Sequence, residues 1–184
     1  TTPEENYKFA IRERVEACIN EHTRAILFTN PGNPTGTILT EEELRLMADI
    51  AKEHNLFIIG DEVYREFVYG GEKLMSLLQL EGYEDNVVVI DSVSKRFSAC
   101  GARIGALISR NRPLMENAMK LGCDAVGGLP YMEYSPEDGL RDVKFVFDLA
   151  EKYGALIDIH CDENTDDQSR FVEAMARETI VRGM

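Results

Sequence analysis

Residues 25–61, AILFTNPGNPTGTILTEEELRLMADIAKEHNLFIIGD, decide the fold. Ala25 to Phe28 is a short apolar run of the kind that makes a buried strand. It ends in Asn30-Pro31-Gly32-Asn33-Pro34-Thr35-Gly36, where proline and glycine interrupt helix and sheet ladders alike. Thr40, with Glu43 three positions on, makes a capping box and predicts a helix to about His54. Leu56 to Gly60 is a second buried strand. Strand, amphipathic helix and strand in succession predict parallel pairing, because parallel strands need a crossover of this kind.

The rhythm extends outward in both directions. Upstream, Tyr7, Ile11, Val15, Cys18 and Ile19 share one face at helical spacing and predict a helix. Downstream, Val87 to Asp91 and Ile104 to Ile108 predict a third and a fourth strand, with a less regular connection over 65–85. Ala125 and Val126 begin a short strand that ends at Gly127-Gly128. Asp138 to Tyr153 predicts a helix with Val143, Phe147 and Ala150 inward, and Leu156 to His160 a further strand. A closing helix is expected from Asp167 to about Arg182, with Phe171, Val172, Met175, Ala176 and Ile180 on its buried face. The expected class is therefore α/β: a mostly parallel sheet, helices on both faces, three layers. The one boundary candidate is Asn111-Arg112-Pro113, which resembles a helix start more than a linker. Segments 1–112 and 113–184 are expected to pack as one continuous α/β domain.

Composition narrows the function. The 184 residues are 44% hydrophobic and 29% charged, enough apolar material for a sizeable core. A formal net charge of −13 argues against nucleic-acid and anionic-membrane partners, because neither would have its phosphates neutralised. No apolar run is long enough to span a bilayer and no signal peptide is recognisable. Cys18, Cys100, Cys123 and Cys161 are scattered without CxxC spacing, so neither a zinc site nor a disulfide framework is expected. A cytoplasmic location fits that usage.

Polar groups cluster just beyond the predicted strands. Asn33 follows the first, Asp61 and Tyr64 the second, and Ser92-Val93-Ser94-Lys95 the third, while Arg103 precedes the fourth. Ligands of parallel sheets sit at these carboxyl ends. A desolvated lysine can form a Schiff base with an aldehyde. A carboxylate beside a pyridine nitrogen keeps that ring protonated and able to accept electrons. Hydroxyls and an arginine fork can hold a phosphate.

With these residues in this order, segment 1–112 resembles the large domain of pyridoxal-phosphate (PLP) dependent class I/II aminotransferases of fold type I. The resemblance rests on Asn30 to Gly36, Asp61-Glu62-Val63-Tyr64, Ser92 to Lys95 and Gly101-Ala102-Arg103-Ile104-Gly105. It implies that Lys95 binds the cofactor covalently and shuttles the proton, and that Asp61 pairs with the pyridine nitrogen. It also implies that Asn33 and Tyr64 hold the phenolic oxygen, with Ser92, Arg103 and Ser94 on the phosphate. An amino acid or keto acid would be the substrate, and a homodimer would fit the family. A phosphate-binding loop, a ring stacked on the cofactor and an arginine for the substrate carboxylate have no recognisable counterpart here, so weak or no turnover is expected.

Segment 113–184 is similar to part of a cytosine-deaminase-like amidohydrolase, a β/α barrel. The likeness lies in Leu121 to Pro130, Leu156 to Glu163 and Asp167 to Glu173. It implies a metal-ligand ancestry for His160 and a proton-relay ancestry for Glu163. A catalytic metal needs at least three protein ligands. The chain has three histidines, and His22 and His54 fall in predicted helices of the first segment. No bound metal is therefore expected. Three readings follow: a PLP-binding aminotransferase-like protein, a non-catalytic recombined or designed chimera, and a metal-dependent hydrolase.

Overall fold

The computed structural model describes residues 1–71, 73–166 and 169–184. Its strands are β1 (Ala25–Thr29), β2 (Phe57–Asp61), β3 (Val87–Ser92), β4 (Gly105–Ile108), β5 (Ala125–Gly128) and β6 (Leu156–Ile159). Its helices are α1 (Arg12–Glu16), α2 (Glu41–Glu53), α3 (Val93–Arg96), α4 (Arg112–Lys120), α5 (Pro136–Tyr153) and α6 (Phe171–Arg182). The fold is α/β with mostly parallel pairing, as the sequence predicts. β1–β2 and β2–β3 are parallel, β3–β4 is antiparallel, and β5–β6 is parallel.

Among the described residues no strand of segment 1–112 pairs with a strand of segment 113–184. The strands hydrogen-bond as two sheets, β1-β2-β3-β4 and β5-β6. The chain divides into compact units Thr1–Arg112 and Pro113–Met184. Each sheet carries its own cluster of buried residues.

In the first unit, α2 starts where the capping box places it. Thr40 Oγ accepts from Glu43 N, and the Glu43 carboxylate accepts from Thr40 N at 3.0 Å. The helix buries Leu44, Met47, Ala48 and Ala51 in the cluster that holds Phe28, Ile58, Val87 and Val89. Register places Ile26, Ile58 and Val87 on this covered side. On the opposite side, Leu27 is 66% exposed. The long first helix suggested by residues 7–19 shrinks to the five residues of α1. Asn6 and Tyr7 sit at φ 48° and 56°, in the left-handed region that breaks a helix. Val15 and Ile19 still pack on the core.

In the second unit, Met119 of α4, Val126 of β5, and Val146, Leu149 and Ala150 of α5 form one cluster. Val143, Phe147 and Phe171 form another. Gly139 is required where α5 meets α6, because a Cβ there would lie 2.5 Å from the Phe171 ring. The described part of α6 begins at Phe171; Asp167, where its start was expected, lies outside the described residues, as does Gln168. Its buried face is also narrower than the spacing implies. Phe171 and Met175 pack inward, but Val172 and Ile180 are 56% and 80% exposed, and Ala176 is exposed as well. Arg182 reaches Asp148 and Glu151 of α5 and Glu178 of its own helix at 2.7, 2.9 and 2.8 Å. Among the described residues no helix is long and apolar enough to cross a membrane.

Two stability measurements test this account. Thr40→Ala removes the cap of α2 and should cost ~1 kcal/mol. Ile58→Ala, at a position with no solvent exposure, should cost ~2–5 kcal/mol through lost burial and a residual cavity. Both should lower the urea midpoint at unchanged slope.

Candidate functional site

The carboxyl ends of β1, β2 and β3 lie side by side. Thr29 is in register with Asp61, and Asp61 with Ile90. The segment after β1 is a tight turn in which Gly32 N donates to Thr37 O at 2.8 Å and Gly36 N to Gly32 O at 2.7 Å. Gly32 is needed there, since a Cβ would lie 2.7 Å from Thr37 Oγ1. Asn30 anchors the turn from beneath. Its side chain is buried, its Oδ1 accepts from Leu39 N at 3.0 Å, and its backbone N–H donates to Asp61 O at 3.0 Å.

Three of the residues expected from the sequence meet directly. Asn33 Nδ2 donates to Tyr64 Oη at 3.0 Å. The Lys95 ammonium lies over the Tyr64 ring, 5.7 Å from its centroid. Lys95 is half-buried and has no carboxylate at ion-pair distance among the described residues. It projects from α3, whose N-terminus is capped by Ser92: Ser92 Oγ accepts from Ser94 N at 3.1 Å. Ser92 and Ser94 hydroxyls are 2.8 Å apart, and Ser92 Oγ also donates to Ile104 O at 2.9 Å. Asp61 sits at the end of β2 with Oδ1 accepting from Val63 N at 3.2 Å.

Arg103 is not drawn into either cluster. Its guanidinium is exposed and donates to Cys100 O at 3.2 Å, from a backbone with φ of 54°. A non-glycine residue in that region is strained, and such strain concentrates at functional positions.

Sequence reasoning missed an ionic cluster beside α3. Asp91 Oδ2 accepts from Arg96 Nη2 at 2.7 Å and from Arg65 Nη1 at 3.5 Å, and Arg96 Nε lies 3.4 Å from Glu66. The cluster holds Arg96 to the end of β3 immediately after Lys95. Its sequence signal was Asp91, a charged residue inside an otherwise apolar strand. Asn30 and Glu62 were also passed over, although both are polar residues at the end of an apolar run.

In the second unit, His160 and Glu163 do come together beyond β6. His160 Nδ1 is 3.1 Å from Glu163 Oε1, and Tyr131 Oη donates to Glu163 Oε2 at 3.4 Å. The Glu163 carboxylate, helped by Asp158, raises the His160 pKa above the ordinary imidazole value. Among the described residues no group of three or more His, Cys, Asp or Glu side chains could hold a metal ion.

The profile for aminotransferase class I and II matches residues 2–123. The chain belongs to the class I and II aminotransferase family. Aromatic-amino-acid aminotransferase 2 of Thermococcus litoralis is 32% identical over 142 residues, covering 77% of this chain and 36% of that protein. Aspartate aminotransferase of Bacillus subtilis is 41% identical over 103 residues, covering 55% of this chain and 26% of that one. Among solved structures, aspartate aminotransferase of Thermotoga maritima superposes with a TM-score of 0.56 at 36% identity, over 61% of this chain and 29% of that one. This aminotransferase-family chain thus spans about a third of the length of the curated relatives it matches. The family match also runs past Arg112, the expected end of the aminotransferase-like segment.

The His160–Glu163 contact has a measurable consequence. A raised imidazole pKa means that the pair's contribution to stability is fully present below the unfolded-state value and is lost as pH rises through the folded one. Glu163→Gln should move the His160 titration midpoint, followed by NMR, back down toward the ordinary imidazole value. An unmoved midpoint would show that Glu163 is not the cause.

Proposed function

We propose that the first unit is a PLP-binding site of the aminotransferase type, centred on Lys95. The observation that carries this reading is the cluster of Asn33, Tyr64 and a half-buried Lys95 that has no acidic partner among the described residues. The donor set fits the cofactor. An amine, an amide N–H with a phenol, a strand-end carboxylate and paired hydroxyls match an aldehyde, a phenolic oxygen, a ring nitrogen and a phosphate.

Bound PLP supplies an electron sink for charge that develops at a substrate α-carbon. In this reading Lys95 Nζ would hold the cofactor and would move the proton at that carbon. Asp61 holds a proton on the ring nitrogen. Tyr64 Oη and Asn33 Nδ2, already bonded to each other, hold the phenolic oxygen. Ser92 and Ser94 hydroxyls with Arg103 serve the phosphate, which requires Arg103 to leave the Cys100 carbonyl. Amino acids and keto acids would be the substrates, and a cytoplasmic homodimer would suit the family.

Turnover by these 184 residues should be weak or absent. Asn33 and Arg103 are exposed, so the site does not exclude water, and precise orientation is worth up to ~7–11 kcal/mol in favourable cases. A second reading, a recombined or designed chimera with an amidohydrolase-derived second segment, draws support from the unit boundary at Arg112–Pro113. The family match extending to residue 123 weighs against a seam there. The metal-dependent hydrolase reading would require a stoichiometric metal on elemental analysis.

PLP titration followed by absorbance tests the main reading. The wild type should give a saturable spectral change that Lys95→Ala abolishes and Tyr64→Phe weakens. An identical response from Lys95→Ala would refute it.

A further inference from the structure

Glu62 is the one aspartate or glutamate buried outright among the described residues, at 1% exposure. It follows β2 directly. Its N–H donates to Ile90 O at 2.9 Å, and its carbonyl accepts from Arg65 N at 2.9 Å, closing the turn that carries Tyr64. Side chains alternate along the strand, so Glu62 points to the covered side with Ile58 and Gly60, and Asp61 to the other.

On the covered side Glu62 meets the short 3-10 helix Leu77–Gln79. Its Oε1 accepts twice, from Ser76 Oγ at 3.0 Å and from Leu77 N at 2.9 Å. Leu77 is 1% exposed and lies against Gly60, where a Cβ would be 2.7 Å from Leu77 Cδ1. Two successive same-side positions of the strand therefore seat this segment: Gly60 by leaving room and Glu62 by gripping its backbone. Both donors converge on one oxygen. Oε2 is buried with no hydrogen-bond partner among the described residues. An ionised carboxylate with a bare buried oxygen is far costlier than a neutral acid in the same place. Burial raises the Glu62 pKa, with Asp91 adding to the rise, while the Leu77 and Ser76 hydrogen bonds and Arg65 oppose it.

We propose that Glu62 is a positioning residue of the candidate PLP site. As a neutral carboxylic acid, it pins the Ser76–Leu77 step beneath the end of β2 and so fixes the turn that presents Asp61 and Tyr64. This role rests on the PLP reading of the site; the anchor itself does not. Glu62→Gln keeps a neutral oxygen acceptor in place, whereas Glu62→Ala removes it.

Amide hydrogen exchange of Leu77, measured without PLP and with the α2 amides as a control for folding, reads the anchor. Protection should persist in Glu62→Gln and fall about tenfold or more in Glu62→Ala. If Glu62→Ala unfolds, Ser76→Ala removes one of the two donors and should change Leu77 exchange in the same direction by less. PLP affinity, and the pH midpoint of the bound cofactor's absorbance, read the positioning. Glu62→Gln should match wild type within about twofold, and Glu62→Ala should bind about tenfold more weakly with a shifted midpoint. Glutamine behaving like alanine overturns the neutral acid. Wild-type affinity and midpoint in Glu62→Ala overturn the positioning role. A wild type that takes up no PLP removes the site reading and this role with it. That failure is distinct from failure of the anchor, which the cofactor-free exchange decides.

Discussion

Parallel pairing of β1, β2 and β3 in a fixed register is the constraint on which the first unit depends. Parallel neighbours cannot be joined by hairpins, so each strand must run in the same direction and return by a crossover. The register then sets Thr29, Asp61 and Ile90 abreast, and the chain leaving each strand emerges at the same end. Asn33, Tyr64 and Lys95 come from three such exits, 31 residues apart in each case. They meet because the strands end together. A one-residue slip of β2 would turn Asp61 to the covered side and expose Glu62.

The register is enforced from below. Ile58 and Val89 have no solvent exposure, and α2 presses Leu44, Met47 and Ala48 against the same core. Asn30, Gly60 and Glu62 add polar and steric fixings at the strand ends, where apolar burial alone would leave the exits free to move. The side chains with cofactor-like chemistry are half-buried or exposed, and the groups that hold them are buried. This division gives the site its geometry without stacking charge in the core.

Much of this was legible in the sequence. The four strands of the first unit fall within a residue of the apolar runs that predicted them; for the parallel β1, β2 and β3 the reason is that such strands are continuous hydrophobic segments. The capping box located α2 from two residues. The convergence of Asn33, Tyr64 and Lys95 followed from their strand-end positions. What was not legible depends on tertiary context. Left-handed Asn6 and Tyr7 ended a helix that spacing alone extended. Helical spacing assigned Val172 and Ile180 to the buried face of α6, but they face solvent while Phe171 and Met175 pack inward. The strands group into two sheets, each with its own buried cluster, a division that strand and helix spacing alone does not announce. Arg103, for which the resemblance implies a phosphate contact, donates instead to the Cys100 carbonyl, which no sequence pattern announces.

Selective labelling tests the central claim most directly. PLP modifies exposed lysines unselectively, and the chain offers Lys8, Lys52, Lys73, Lys120, Lys144 and Lys152 as competitors to Lys95. Borohydride reduction at substoichiometric PLP, followed by peptide mapping, should place the label on Lys95 ahead of the other six. Labels spread evenly over all the lysines, or absent from Lys95, would contradict the account.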